Sequence, residues 1–196
     1  MGVVKTALEI ALERTEKVKS DKSSIDQFEM KRRGKKLANA FLAGEAELAD
    51  ELKKAPAESR ESLKQGIFDV LITMITLPSG NDSEKRIERA GKGLQAVIDS
   101  KEFPEMYKQL TQVYSQYLQE AANYEQAISR QYAPKLRQKE EELSRRLGRE
   151  VRIDPFQDPE FAAFYNQNMS TLKGNYEAVI EQAKEETRRM FEEERG

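Results

Sequence analysis

Histidine, cysteine and tryptophan are all missing from the 196 residues of this chain. Without histidine there is no imidazole-ligated zinc or iron, no Ser-His-Asp or Cys-His nucleophile system and no imidazole proton shuttle. Without cysteine there are no disulfides, thiolate metal sites or thiol nucleophiles, and a reducing, cytoplasmic setting is expected. Helix breakers are scarce, with 10 Gly and 6 Pro, so helices should be long. The most apolar run, Gly66 to Leu77, is interrupted by Asp69 and falls short of the ~20 residues that a membrane-spanning helix takes. The first residues, Met1-Gly2-Val3-Val4-Lys5-Thr6, lack the apolar centre of a signal peptide. An excess of one charge is absent as well. The 33 basic and 35 acidic residues leave a net charge of −2, without the basic surplus typical of nucleic-acid-binding domains.

What remains is a chain rich in Glu, Lys, Leu, Ala, Gln and Arg, all good helix formers. Its 35% charged and 38% apolar residues are too regularly patterned for disorder. The expected fold is all-α with about six helices in one domain, 1–196. An N-terminal half of four helices (1–100) should pack on a long antiparallel, coiled-coil-like hairpin (101–196), with the boundary at Ser100 to Phe103. A first helix is expected over Val3–Lys19 and a turn at Ser20-Asp21-Lys22-Ser23-Ser24. Ser24 and Gln27 would then form a capping box for a second helix, ended by Pro56. In that helix Met30, Gly34, Leu37, Phe41, Gly44 and Leu48 recur at spacings of three and four, which marks a seam; its glycines suggest a closely approaching neighbour. Ile67, Phe68, Val70, Leu71, Ile72, Met74, Ile75 and Leu77 cover nearly all sides of a third, central helix. A fourth, after the Pro78–Asp82 loop, would be capped by Asp82 or Ser83 and bury Ile87, Ala90, Leu94, Val97 and Ile98.

The hairpin carries the strongest periodicity. Tyr107, Leu110, Tyr114, Tyr117, Ala121, Tyr124 and Ile128 alternate by three and four, and Tyr132, Leu136, Leu143 and Leu147 extend the stripe across a kink expected at Pro134. Gly148 is a natural stop. Asp158-Pro159-Glu160 starts the last helix with an Asp cap, Pro at the first helical position and an acidic first turn. Its seam should include Phe161, Tyr165, Leu172, Tyr176, Val179, Ala183 and Met190. Two such helices, about 50–65 Å long at 1.5 Å per residue, are expected to protrude or to pack on a second copy.

Several constellations could carry function. The tyrosine-rich seam of Tyr107, Leu110, Tyr114, Tyr117 and Tyr124 packs rings whose hydroxyls still seek partners, so it could face either the other arm or a second subunit. At the tip, Phe156, Phe161, Phe164 and Tyr165 crowd beside Val151, Ile153, Asp154 and Asp158, either sealing the end of the arm or forming a partner-binding knob. The basic run Lys31, Arg32, Arg33, Lys35 and Lys36 could hold phosphates or an anionic surface. Arg32, Lys35 and Lys36, however, fall on the side away from Met30, Leu37 and Phe41, where a solvated face belongs. With no histidine or cysteine, a metal site would be built from carboxylates and take a hard ion such as Mg²⁺. Glu13/Glu16 and Glu47/Asp50 have suitable helical spacing, and these pairs resemble those of all-α nucleotide pyrophosphatases, which hold Mg²⁺ between acidic helices. That family's lysine four residues before the second pair is here Ala43. Surface carboxylates account for the pairs more simply, and no cofactor is expected.

Read together, Met1-Gly2-Val3-Val4-Lys5-Thr6-Ala7-Leu8-Glu9-Ile10-Ala11-Leu12-Glu13, Gln138-Lys139-Glu140-Glu141-Glu142-Leu143 and Asp158-Pro159-Glu160-Phe161 resemble an uncharacterised bacterial family of all-helical proteins. That resemblance implies the fold and a bacterial cytoplasmic setting, and no activity. The functional expectation is a non-catalytic scaffold or adaptor that makes helix–helix contacts with a protein partner or with itself, as a homo-oligomer. A Mg²⁺-dependent all-α nucleotide pyrophosphohydrolase is one alternative, and nucleic-acid or anionic-membrane binding through the basic face of Lys31 to Lys36 is the other.

Overall fold

The computed structural model describes residues 7–79 and 83–193, with side chains for 24–79, 83 and 85–193. Among the described residues there are six α-helices and no strand: α1 (Ala7–Ala43), α2 (Leu48–Lys54), α3 (Ala57–Leu71), α4 (Ser83–Val97), α5 (Phe103–Leu147) and α6 (Pro159–Glu193). The all-α class and the long C-terminal pair are as the sequence predicts. Two compact units emerge, one holding α1 to α4 with the last turns of α6, the other α5 and the rest of α6. One of the passages between them falls at Phe103 and Pro104.

The first two helices are divided differently from the expectation. Ser20 to Ser24 is helical, because that segment contains neither Gly nor Pro, and Ser and Asp cost only about 0.5 kcal/mol each in a helix. No capping box forms at Ser24. The long helix stops instead at Gly44, whose φ of 87° suits a residue without a Cβ. Glu45 N–H donates to Ala40 C=O at 2.9 Å and Gly44 N–H to Phe41 C=O at 3.0 Å, the paired bonds of a Schellman cap. Gly44 is therefore a helix terminator and not a site where a neighbouring helix backbone approaches.

Gly34 does mark a close approach. A Cβ there would run into the Leu63 carbonyl oxygen and lie 3.0 Å from the Gly66 Cα, and one on Gly66 would strike the Lys31 carbonyl. The backbones of α1 and α3 thus touch at a Gly34–Gly66 crossing. Ala38, Phe41, Leu63, Ile67 and Leu71 are buried in this unit. The Phe68 and Phe191 rings stack with centroids 4.0 Å apart, and Ile87, Ala90, Leu94, Val97 and Ile98 are all buried. The third helix ends earlier than the apolar run suggests: Ile72–Met74 is a 3-10 turn and the chain is non-helical from Ile75. Pro78 disfavours helix in the residue before it, and the β-branched Ile72, Thr73, Ile75 and Thr76 weaken the preceding turn. Ile72, Ile75 and Leu77 are buried nonetheless.

In the other unit α5 and α6 run antiparallel. Tyr117 meets Tyr176, Tyr124 meets Asn168, and Tyr132 meets Phe161. Each step of about two turns along α5 is matched by an opposite step of about two turns on α6. The α5 helix continues through Pro134 without a break. One turn after Tyr176 on α6, Ile180 is buried at 2% while Val179 is 42% exposed. Expecting a step of three after Tyr176 misplaced the seam, because the 3.6-residue turn calls for a step of four there.

Candidate interaction site at the hairpin tip

Backbone geometry builds the tip before any side chain acts. Gly148 takes a φ of 64° and ends α5. The chain beyond it is then tied back to the helix it has just left. Val151 N–H donates to Ser144 Oγ at 2.9 Å, and Ile153 N–H to Glu140 Oε1 at 2.8 Å. Asp154 Oδ1 accepts from Phe156 N–H at 3.1 Å, capping a 3-10 turn over Pro155–Gln157. Asp158 Oδ1 accepts from the N–H groups of Glu160 and Phe161 at 2.9 and 3.1 Å, which satisfies donors that a helix start leaves open.

Asp158 is only 5% exposed, and a buried carboxylate must be paired. Lys139 supplies the pair: its Nζ donates to Asp158 Oδ2 at 2.6 Å and to Glu160 Oε2 at 2.9 Å. Lys135 Nζ reaches Glu160 Oε2 at 2.8 Å. The Tyr132 hydroxyl lies 3.2 Å from Asp158 Oδ1 and 3.3 Å from Glu160 Oε2, and both lysines sit over its ring. The hydrogen bond from Lys139, assisted by the α6 backbone amides, holds Asp158 down at about 2. Lys135 and then Lys139 hold Glu160 at about 2 as well. Lys139 is pushed well above the ordinary lysine value by Asp158 and then Glu160. These groups keep their charges throughout the neutral range, so they can clamp a structure but cannot trade protons near pH 7.

On this clamp stands a cluster of rings. Phe161 is buried at 2% with Ile128 and Tyr132, and Phe164 and Tyr165 are half-buried against them. Phe156 meets Phe161 and Tyr165 edge-on, with centroids at 5.3 and 5.1 Å, a favoured aromatic geometry. Yet Phe156 is 57% exposed, and Leu147 at the end of α5 is 56% exposed. The tip combines a pinned backbone, a charge-clamped helix start and one large ring held in place with more than half of it in water.

Residues 49–189 match a family of unknown function, DUF6657. The chain belongs to this family. No curated protein and no solved structure matches it. The DUF6657 span includes all of α5 and the tip, and α1 lies outside it. Of the segments behind the resemblance to an uncharacterised all-helical family, those around Gln138 and Asp158 fall within the span and the opening one falls outside.

The other expected site residues are dispersed. Leu110 and Tyr114 are buried, Tyr107 and Tyr117 half-buried and Tyr124 is 39% exposed; Tyr117 and Tyr124 face α6 of the same chain. On α1, Lys31 and Lys35 share Asp69 at 2.9 and 3.6 Å, whereas Arg32 and Lys36 are exposed. Glu47 and Asp50 are exposed, and the side chains of Glu13 and Glu16 lie outside the described residues. Among the described residues no group of three or more metal-type ligands converges, and no helix is long and apolar enough to cross a membrane. Sequence reasoning found the ring cluster and the Asp158 cap but missed Lys135 and Lys139. Their signal was available: Tyr132, Lys135 and Lys139 lie at helical spacings of three and four, placing two cations on the tyrosine's face.

Proposed function

We propose that the protein is a non-catalytic helical adaptor that docks a protein partner through the tip of its hairpin. The exposure of Phe156 carries this reading, because its ring is already immobilised by Phe161, Tyr165 and the Asp154-capped turn. A preordered aromatic side chain loses little conformational freedom on binding, which is why such rings serve as interface anchors. Leu147 adds a second exposed apolar side chain at the same end of α5. The partner surface would be an apolar pocket sized for one phenyl ring. A cytoplasmic setting, consistent with the absence of cysteine, belongs to the same proposal.

The test separates binding from folding. Phe156→Ser should weaken capture of a cross-linked partner at least ~tenfold while changing stability by less than about 1 kcal/mol. Light scattering after size exclusion distinguishes self-association: a dimer that Phe156→Ser dissociates makes a second copy the partner. Unchanged capture and unchanged oligomeric state in Phe156→Ser would sink the tip as a docking surface.

A further inference from the structure

The α1–α4 unit contains an open cleft of about 530 Å³, within the 300–1,000 Å³ range common to small-ligand sites. Four cations line it, Lys85, Arg86, Arg89 and Lys92, against two carboxylates, Glu47 and Glu88. Lys92 is neutralised by Glu88 at 2.7 Å. Lys85 and Arg86 are exposed and form no ion pair among the described residues. Arg89 stands between the cleft and the core. Its guanidinium lies over the Phe41 ring at 4.8 Å, and its Nη1 sits beside Gly44, where an added Cβ would lie 3.3 Å away. The buried Nε has no hydrogen-bond acceptor among the described residues. Its ion-pair partner among the described residues, Glu47 Oε1, is 3.9 Å off on a side chain that is 74% exposed. That is too far for a hydrogen bond. Among the described residues, a planar donor group is thus fixed in orientation by an aromatic ring and held by only one loose ion pair, next to two further cations.

We propose that this cleft binds a small phosphomonoester. Arg89 would engage the phosphate through its planar fork, Lys85 and Arg86 would supply the remaining charge, and Leu42, Ala49 and Ala96 would border the organic body. Arginine favours this role because its donors match phosphate oxygens in pairs. A protein of net charge −2 does not attract anions as a whole, so selectivity comes from the local arrangement.

The test is an amide-resolved NMR titration of the full chain with phenyl phosphate, inorganic phosphate and phenol. Phenyl phosphate should give saturable shifts at Gly44, Glu47 and Arg89, with a Kd on the order of 1 mM. Inorganic phosphate should bind several-fold more weakly and phenol should leave these amides unmoved. Arg89→Gln and the exposed pair Lys85→Gln/Arg86→Gln should each weaken phenyl phosphate at least ~fivefold; should Arg89→Gln unfold, the exposed pair decides alone. A linear drift equal to that caused by sodium chloride overturns the site. So do equal shifts with phenol, or affinity unchanged in the exposed pair.

Discussion

In the α1–α4 unit two backbones come close enough at Gly34 and Gly66 that neither position has room for a methyl group. In the hairpin unit the helices instead meet through rings and through a lysine clamped between carboxylates. The first arrangement gains dispersion contacts by removing side chains, and any added atom meets a carbonyl that cannot swing aside. The second gains apolar burial from large rings and keeps its polar ends satisfied, so it tolerates water nearby. Close backbone packing punishes added volume, and ring packing punishes its loss.

That contrast can be broken or sharpened by measurement. The largest effect is expected from Phe161→Ala, which empties the centre of the tip cluster: about 4 kcal/mol, with amide exchange rising around Phe161 and Ile128. A loss below about 1 kcal/mol would mean that the rings at the tip are not its core. Gly66→Ala should cost about 2 kcal/mol net by overpacking, despite the ~1 kcal/mol that alanine gains in helix propensity. Its faster exchange should appear in α1 and α3. Stabilisation by Gly66→Ala would remove the close crossing from the account.

Acid offers a smaller lever. Asp158 and Glu160 titrate near 2 when folded and near 4 when unfolded. Between those values the unfolded chain binds more protons, so stability rises with pH. Their contribution is complete above about pH 5 and lost as pH falls through about 2. Lys139, raised in the folded state, contributes fully below its ordinary value near 10.4, and that share disappears as pH rises through its elevated one. Lys139→Met should return the Asp158 carboxyl, followed by NMR, toward the ordinary range and move the acid transition upward; an Asp158 still near 2 would mean that the backbone amides alone depress it. The smallest effect has the opposite sign. Tyr114 is buried at 6% exposure, and its hydroxyl has no partner among the described residues. Tyr114→Phe should therefore stabilise by about 0.5–1 kcal/mol, and a loss of that size would point to a water bound at the hydroxyl.

How far the fold could be read from sequence depended on how local each cause was. The buried face of α4 and the Asp158-Pro159 start of α6 follow from periodicity and cap chemistry within one or two turns and appear as read, whereas the stripe on α5 is buried at Leu110, Tyr114, Ile128 and Tyr132 and open at Tyr124 and Leu147. Gly44 and Gly34 look alike in the pattern, yet one ends a helix and the other admits a neighbour; only the partner at Gly66 tells them apart. Ser20 to Ser24 resembles a turn by composition, but five residues of modest propensity do not stop a helix that lacks Gly or Pro. The tip rings were legible because they crowd into one short stretch. The clamp was not, since Lys139 and Asp158 are 19 residues apart and joined by a turn whose path periodicity does not describe.

By itself the amino-acid sequence determined the helical class, the long antiparallel pair and the exclusion of imidazole and thiol chemistry, because composition and short-range spacing act along the chain. The tertiary structure alone decided which glycine is a contact, that Ile180 and not Val179 is buried, that Lys139 completes the Asp158 cap, and that Arg89 faces a cleft over Phe41. Each of those depends on where a second segment lies, and two segments are brought together by packing, which no spacing within either one encodes.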